Sequence, residues 1–196
     1  MISSKRDYKY YIECDRVALG KNGRNPNPFT DEIWYYQRVL RLAEYVNNTS
    51  TGFLGRIKKK IINYYLHKLE IRLGYTIPIN VFGPGLAIVH RGTIVVSRGA
   101  KIGANCRIHE GVTIGATNGS SKAAKVGDNV FIATGVKIIG DVIISDNVAI
   151  AANAVVVHDV ICEKGCTVGG IPAKIISNNT SILNLKPSTD IVDKYF

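Results

Sequence analysis

The chain of 196 residues has little of what several large protein classes require. Its 4 cysteines are too few for a disulfide framework at this length, and Cys162 and Cys166 lack the second pair of a zinc motif. We expect these two, with Cys14 and Cys106, to be reduced packing residues. No apolar run approaches the roughly 18 residues of a membrane span, and the first residues lack the apolar segment of a signal peptide. These absences predict a cytoplasmic protein built around one main core.

Acidic residues are also scarce, because 15 Asp and Glu face 25 Lys and Arg for a net charge of +10. Most of the excess lies in residues 1–75, which hold 14 basic and 7 acidic side chains. The segment GRIKKKIINYYLHKL carries Lys58, Lys59 and Lys60. It suggests either peripheral contact with a negative membrane surface, at its inner face, or a solvated helix face packed on the rest of the protein. We expect no nucleic-acid partner.

What the sequence does contain is a repeat of six residues. Counted in sixes from Ala100, ten of twelve third places hold Ile or Val, and the fourth favours Gly, Ala or Ser. A period of six fits neither a helix nor an isolated strand, so each hexad should be a short strand and a turn. Three hexads then close one coil of about 18 residues. The third places are Ile102, Ile108, Ile114, Ser120, Val126, Ile132, Ile138, Ile144, Ile150, Val156, Cys162 and Val168.

This repeat predicts a mainly β protein, a parallel β-helix running from about residue 82 to residue 171. Hexapeptide β-helices wind left-handed, which is a property of that fold and cannot be read from the spacing. The domain boundaries follow from where the repeat holds. We expect a helical N-terminal cap over 1–75, the β-helix over 76–176 and a tail over 177–196 that folds back on a helix.

Two helices are expected in the cap. Thr30 is a candidate N-cap for a helix over 31–46, and a second helix over 54–73 has the same apolar spacing. In the second helix, Leu54, Ile57, Ile61 and Leu69 share one face.

The stretch GPGLAIVHRGTIVV places His90 among apolar residues, and counting in sixes puts it in the inward column that continues with Ile108, Val126 and Ile144. His109 follows one coil plus one residue later, so the two imidazoles should lie on adjacent rungs, about 5 Å apart. A histidine that reaches outward from such a position can exchange a proton at neutral pH. The alternative is a core or end-cap histidine bonded to backbone. His158 and His67 are expected to be exposed.

Three segments carry a resemblance to a known family. GPGLAIVHRGTIVV, NCRIHEGVTIGA and VGGIPAKII resemble the serine acetyltransferase branch of the hexapeptide acyltransferases, together with its relatives in capsule, exopolysaccharide and lipopolysaccharide gene clusters. The likeness covers roughly residues 75–176. It implies an acetyl-CoA-dependent O-acetyltransferase in which His90 is the general base, a contribution of roughly 10² to 10⁴ in rate. His109 and Glu110 are further candidates for the catalytic site.

The resemblance also implies a homotrimer with active sites between subunits, acetyl-CoA as co-substrate and no metal. Small side chains would let the pantetheine arm approach the backbone, and a lysine would meet a phosphate. For each small residue the alternative is that it simply suits a corner. By position, the co-substrate residues would be Ala116, Ala133, Thr134, Ala151 and Ala152, with Gly170 and Lys174 near the adenine and phosphate end.

The sequence departs from the family in ways that bear on the acceptor. The aspartate that orients the catalytic histidine is missing, and Thr76 takes the best-aligned place. Glu110 from the next rung, or the backbone, would then orient His90. The segment NGSSKAAK over 118–125, expected to be a loop extruded beside the active groove, lacks the H-P-K of serine acetyltransferases. These departures favour a sugar hydroxyl in surface polysaccharide synthesis as the acceptor, with L-serine as the alternative.

Two other classes are weighed against this interpretation. A γ-type carbonic anhydrase has the same fold but binds zinc through three histidines, two of them five residues apart, and His90, His109 and His158 do not have that spacing. A non-catalytic β-helix scaffold would have no reason to place His90 in an aliphatic column.

Overall fold

Three helices precede the coils in the computed structural model, which describes residues 1–196. They are α1 (Lys5–Ala18), α2 (Glu32–Thr49) and α3 (Gly52–Leu73). We did not predict α1, although its start carries a capping box in which Ser4 and Asp7 bond to each other's backbone amides. The predicted cap of α2 is wrong, because Asp31 and not Thr30 occupies the N-cap position. No helix has both the length and the apolar content needed to cross a membrane.

The face of α3 that packs differs from the predicted one. Leu66 and Leu73 are buried, whereas Leu54 and Ile61 are 71% and 64% exposed. The helix therefore turns most of its predicted apolar face away from the protein.

Fourteen short strands follow, and thirteen of them form a parallel β-helix with three sides. We call the sides sheet 1 (order β1-β3-β6-β9-β12), sheet 2 (β10-β7-β4) and sheet 3 (β14-β13-β11-β8-β5-β2), in which only β14 is antiparallel to its neighbour. The strands are β1 (Tyr75–Thr76), β2 (Ala87–Ile88), β3 (Ile94–Val96), β4 (Lys101–Ile102), β5 (Arg107–Ile108), β6 (Thr113–Gly115), β7 (Lys125–Val126), β8 (Phe131–Ile132), β9 (Lys137–Ile139), β10 (Ile143–Ile144), β11 (Ala149–Ile150), β12 (Val155–Val156), β13 (Thr167–Gly169) and β14 (Lys174–Ser177).

Aliphatic residues stack inside the coils as the repeat predicts, and a core of 36 buried residues continues from α2 into the β-helix. The predicted columns were out of register at two places. Ile108 pairs with Ile132 rather than with Val126, because the segment 118–123 leaves the coil as a loop. On its other side Ile108 pairs with Ile88, so Ile88 and not His90 fills the inward column.

The cap holds the first coil through buried polar side chains. Arg41 is fully buried and donates to Asp15 at 2.8 Å, to Glu44 at 3.0 Å and to the Phe82 carbonyl at 3.0 Å. Desolvation by burial lowers the pKa of Arg41, but Asp15 and Glu44 raise it by more. The net result is a raised pKa. Arg41 therefore stays charged and ties α1 and α2 to the start of the β-helix.

Gln37 of α2 makes a second link to the same coil. Its amide nitrogen donates to the Leu86 carbonyl at 2.7 Å, and its oxygen accepts from the Ile88 amide at 2.9 Å. These bonds satisfy backbone groups in β2 and directly before it, on the side where β2 has no neighbouring strand.

The tail crosses the coils and packs against α1, a helix that we did not predict. It contains a 3-10 turn (Ser181–Asn184) and the short helix α4 (Ser188–Val192). Ser188 donates to Asn105 at 2.8 Å, and Tyr195 donates to Glu13 at 2.9 Å.

The prediction of four reduced cysteines is wrong for one pair. Cys162 and Cys166 form a disulfide in the turn between β12 and β13, while Cys14 and Cys106 are free and buried.

Candidate active site

The two central histidines meet where the chain leaves sheet 3 and enters sheet 1, which we call the histidine corner. His90 follows β2 and His109 follows β5, on adjacent rungs. Their ring centroids lie 5.4 Å apart with the planes at 81°. Glu110 is the next residue, and the donor atoms of all three side chains lie within 4.8 Å of one another. The structure therefore brings together the three residues predicted for the catalytic site.

His90 itself is exposed rather than inward-facing, which corrects the predicted column. Its carbonyl accepts a hydrogen bond from the Tyr75 hydroxyl at 2.8 Å. Gly92 has φ +130°, and a Cβ there would lie 3.0 Å from the Glu110 Cβ, so the two rungs approach closely. No local sequence signal points to Tyr75, because β1 meets this corner only through its pairing with β3.

His109 is held from both sides. Its ring lies edge-on to Phe131 at 5.2 Å, and Nε2 is buried without a hydrogen-bond partner. Burial and then the nearby Arg107 charge lower the pKa of His109 below its ordinary value of 6.5, with Glu110 opposing. The lowered pKa favours the neutral form of His109, and its Nε2 has no partner within the chain.

Glu110 has one engaged and one free oxygen. Oε1 accepts from the Thr134 hydroxyl at 2.7 Å, and this bond is the main cause of a lowered Glu110 pKa. Oε2 is buried and has no partner. Thr76, which takes the place of the family's aspartate, is exposed. The carboxylate nearest to His90 is thus that of Glu110, from the next rung.

Most of the predicted co-substrate residues continue the same corner. The amide of Ala133 donates to the Ile150 carbonyl at 3.1 Å and that of Ala151 to the Val168 carbonyl at 2.8 Å, so these residues follow His109 rung by rung. The corner above the histidines is therefore lined by small side chains. Its residues are Ala133, Thr134, Ala151, Ala152, Gly169 and Gly170.

Two predicted residues lie elsewhere. Ala116 follows β6 at the corner between sheets 1 and 2, so one subunit does not bring it to the histidines. The extruded loop over 118–123 leaves at that corner too, so within one subunit it does not lie at the histidines. Lys174 opens β14 opposite Gly169, and its ammonium is exposed and unpaired.

The remaining histidines do not join the group, since His67 and His158 are exposed on α3 and after β12. His90, His109 and Glu110 have donor spacing that could hold a metal ion. The set has two imidazoles rather than the three that γ-type carbonic anhydrases need, so it does not fit that class.

No protein-family model matches the chain. It is 38% identical over 149 residues to the serine acetyltransferase of Synechococcus elongatus, covering 73% of this chain and 52% of that one. It is 31% identical over 150 residues to the serine acetyltransferase of Bacillus subtilis, covering 75% and 63%. The chain thus spans between half and two thirds of the length of these two relatives.

The chain is also similar to solved structures of serine acetyltransferases. The serine acetyltransferase of Neisseria gonorrhoeae in complex with serine has a TM-score of 0.67 at 26% identity, covering 89% of this chain and 71% of that one. The serine acetyltransferase of Brucella abortus in complex with coenzyme A has a TM-score of 0.61 at 25% identity, covering 89% and 68%. All four proteins are named for serine. The expectation of a sugar acceptor in surface polysaccharide synthesis is therefore wrong, and the alternative, L-serine, is favoured.

Proposed function

We propose that this chain, a hexapeptide-repeat protein of the serine acetyltransferase-like branch, transfers an acetyl group from acetyl-CoA to the hydroxyl of L-serine. The products would be O-acetylserine and coenzyme A. The observation that carries the proposal is the group of His90, His109 and Glu110 at one end of a corner lined by small residues. The sequence likeness to serine acetyltransferases supports the choice of acceptor.

The acetyl thioester supplies an electrophilic carbonyl carbon. His90 takes the proton of the serine hydroxyl while the oxygen forms a bond to that carbon. The carbon–sulfur bond then breaks, and His90 returns the proton to the leaving thiolate. Exposure of His90 keeps its nitrogen accessible to the acceptor. Positioned proton transfer of this kind contributes roughly 10² to 10⁴ in rate.

Glu110 is the positioning residue for His90 in this mechanism. Its Oε2 is buried, unpartnered and close to both rings. A carboxylate that accepts a hydrogen bond from one imidazole N–H fixes which nitrogen is free to act as base. Neutral His109 fills the space beside His90 without adding a competing positive charge, since burial lowers its pKa.

The corner above the histidines suits the co-substrate. Side chains no larger than methyl or hydroxyl let a ligand approach the backbone at Ala133, Ala151 and Gly170, and Lys174 supplies an unpaired cation for a phosphate. A homotrimer would add Ala116 from the corner of a neighbouring subunit, which would explain its distance from His90 within one chain. Light scattering should then give three times the chain mass of 21.4 kDa.

Two further features belong to this proposal. We infer that the coils wind left-handed, supported by the likeness to hexapeptide-repeat enzymes. We also infer that residues 76–176 form the catalytic unit, with 1–75 as its cap and 177–196 as a tail.

The test is release of free thiol from acetyl-CoA with L-serine as acceptor. We expect His90→Ala to lose at least about 100-fold in kcat/KM. His67→Ala is the matched control, because His67 is also exposed but lies on α3, outside the coils, and it should keep wild-type activity. Absence of serine-dependent thiol release from the folded wild type would rule the proposal out, and full activity of His90→Ala would rule out the base.

A further inference from the structure

A cavity of about 320 Å³ lies between the start of α2 and the first two coils. Val89 and Arg91, the chain neighbours of His90, both line it. The cavity therefore lies next to the candidate base. Its lining residues are Leu19, Lys21, Thr30, Asp31, Glu32, Ile33, Trp34, Ile88, Val89, Arg91 and Arg107.

The charges of this cavity do not balance. Asp31 is paired with Lys21 at 2.7 Å, and Glu32 is paired with Arg91 at 2.9 Å. Both acids in the lining are thus neutralised by cations of the chain. Arg107 makes no ion pair and its guanidinium makes no hydrogen bond, so one half-buried positive charge is left over. A half-buried guanidinium without an anion favours an anionic ligand with planar oxygen geometry.

A second group in the lining also lacks a partner. Trp34 is only 4% exposed, and its indole Nε1 is buried without a hydrogen-bond acceptor. An unsatisfied buried donor costs free energy unless a ligand or water accepts from it. Asp31 makes no side-chain capping bond to α2, so the positive end of the helix dipole also faces this region. Arg107 and Trp34 Nε1 are therefore two groups of the lining that have no partner within the chain.

We propose that this cavity binds the carboxylate of the acceptor amino acid, with Arg107 as its charged partner and Trp34 Nε1 as a neutral donor. The inference rests on the proposed function, because it names the site that holds L-serine. A carboxylate fixed there would hold the short serine side chain on the side of the cavity nearest His90. The pair would also explain selection of amino acids over acceptors that have only a hydroxyl.

Binding can be measured apart from turnover, because Trp34 is the one tryptophan of the chain. We expect L-serine to change the fluorescence of Trp34, and L-serinamide, which lacks the carboxylate, to do so only at concentrations at least about 10-fold higher. Arg107→Gln should raise the apparent Kd and the KM for L-serine at least about 10-fold and leave the KM for acetyl-CoA unchanged. Arg107→Lys should restore part of the loss. Arg98→Gln removes an exposed arginine outside the cavity and is the matched control.

The outcomes separate the site from the reaction. Serine-dependent turnover with an unchanged KM in Arg107→Gln would overturn the site and leave the proposed function standing. A fluorescence response that Arg107→Gln abolishes, without any turnover of L-serine, would support the site and refute the proposed function. Equal responses to L-serine and L-serinamide would also overturn the site.

A second inference concerns the outer face of α3. Phe53, Leu54, Ile61 and Tyr64 are between 64% and 72% exposed, and they recur at helical spacing on the side opposite to the buried Leu66. We call this set the outer face. An apolar helix stripe that contacts nothing in its own chain marks a surface for a partner.

The charges around the outer face point to the kind of partner. Arg56, Lys58, Lys60 and Lys68 are exposed on α3, Lys59 is half-buried, and Glu70 is the only acid of this helix. Two copies that met through this face would bring eight exposed positive charges together, which opposes self-association. An apolar stripe with basic residues beside it is instead typical of helices that lie in the surface of an anionic bilayer.

We propose that the outer face of α3 binds a negatively charged membrane surface. We expect the full chain to co-sediment with vesicles of phosphatidylglycerol and phosphatidylcholine, and at least about 10-fold more weakly with phosphatidylcholine alone. Replacing Lys58, Lys59 and Lys60 by Glu, or Phe53 and Leu54 by Ser, should each reduce binding by at least about 10-fold. Replacing three exposed lysines outside α3 by Glu, namely Lys122, Lys164 and Lys194, is the matched control and should reduce binding less. Equal binding to both vesicle types would overturn the proposal, as would an oligomer that the Phe53 and Leu54 variant dissociates.

Discussion

Thr134 donates its hydroxyl proton to Glu110 Oε1 over 2.7 Å and so joins two neighbouring rungs of the histidine corner. Thr134 was predicted as a co-substrate residue, yet its hydroxyl faces the carboxylate that lies beside His90. The bond leaves Oε2 as the single free oxygen of Glu110. If Glu110 positions His90 as proposed, the orientation of His90 depends on Thr134, one coil further along the β-helix.

Removing the Thr134 hydroxyl should let the Glu110 side chain move more freely. We expect Thr134→Val, which keeps the side-chain shape, to lower kcat about 10-fold, since the carboxylate can then rotate away from His90. The Glu110 pKa should rise, because the Thr134 bond is the main cause of its lowering. Steady-state kinetics and a carboxyl NMR titration would measure the two effects. Thr134→Ser restores the hydroxyl and should recover most of the activity, and a normal kcat in Thr134→Val would contradict the role.

The pKa of His109 should depend on Phe131, whose ring helps to bury it. Phe131→Ala admits water, so we expect the His109 pKa to rise toward its ordinary value of 6.5. A ¹H–¹⁵N NMR titration of the imidazole would show this. Phe131→Leu keeps an apolar cover and should leave the pKa lower than in Phe131→Ala. An unchanged pKa in Phe131→Ala would show that burial is not its cause.

The lowered pKa of His109 also makes the stability of the folded protein depend on pH. The folded-state pKa of His109 is below its unfolded value, so the unfolded chain binds the proton more readily. The contribution of neutral His109 is complete above pH 6.5 and is lost as the pH falls through the folded pKa. Urea unfolding between pH 7.5 and 5 should show a smaller loss of stability in Phe131→Ala than in wild type.

Gln37 should contribute more to the free energy of unfolding than an average polar residue does. Gln37→Leu leaves the Leu86 carbonyl and the Ile88 amide buried without partners, which we expect to cost about 2 to 4 kcal/mol in the free energy of unfolding. Urea denaturation would measure it. Asn47→Ala removes an amide from the outer part of α2, where its partner Asn63 is exposed, and should cost less. Equal costs for the two variants would contradict the role of Gln37 in holding β2.

The repeat of six predicts the inward columns because each aliphatic residue repeats one local unit of strand and turn. The repeat alone does not show where extra residues are inserted between one strand and the next. The loop over 118–123 and the wider corner at His90 each shift which residues stack, and only strand pairing reveals the shift. The histidine corner was predictable because His109 follows the inward residue Ile108. Tyr75 and Gln37 were not, since both reach this region from elements far away in sequence.

The disulfide between Cys162 and Cys166 can be checked by counting thiols. Burial raises the pKa of Cys14 and of Cys106 to about 12, so neither should react with a thiol reagent in the native protein. We expect no rapidly reacting thiol in the native state, two after unfolding and four after unfolding with a reductant. Four thiols without reductant would show that the pair is reduced in solution.

The donor spacing of His90, His109 and Glu110 raises the question whether the corner works with a metal. In the proposed mechanism His90 needs a free nitrogen to take the hydroxyl proton, and a bound cation would occupy it. We therefore expect dialysis against a chelator to leave serine-dependent thiol release unchanged, with no stoichiometric metal in the active protein. Thiol release and metal analysis on the same sample would decide this. A loss of activity that added Zn²⁺ restores would contradict the prediction and show that the histidine corner needs a metal ion.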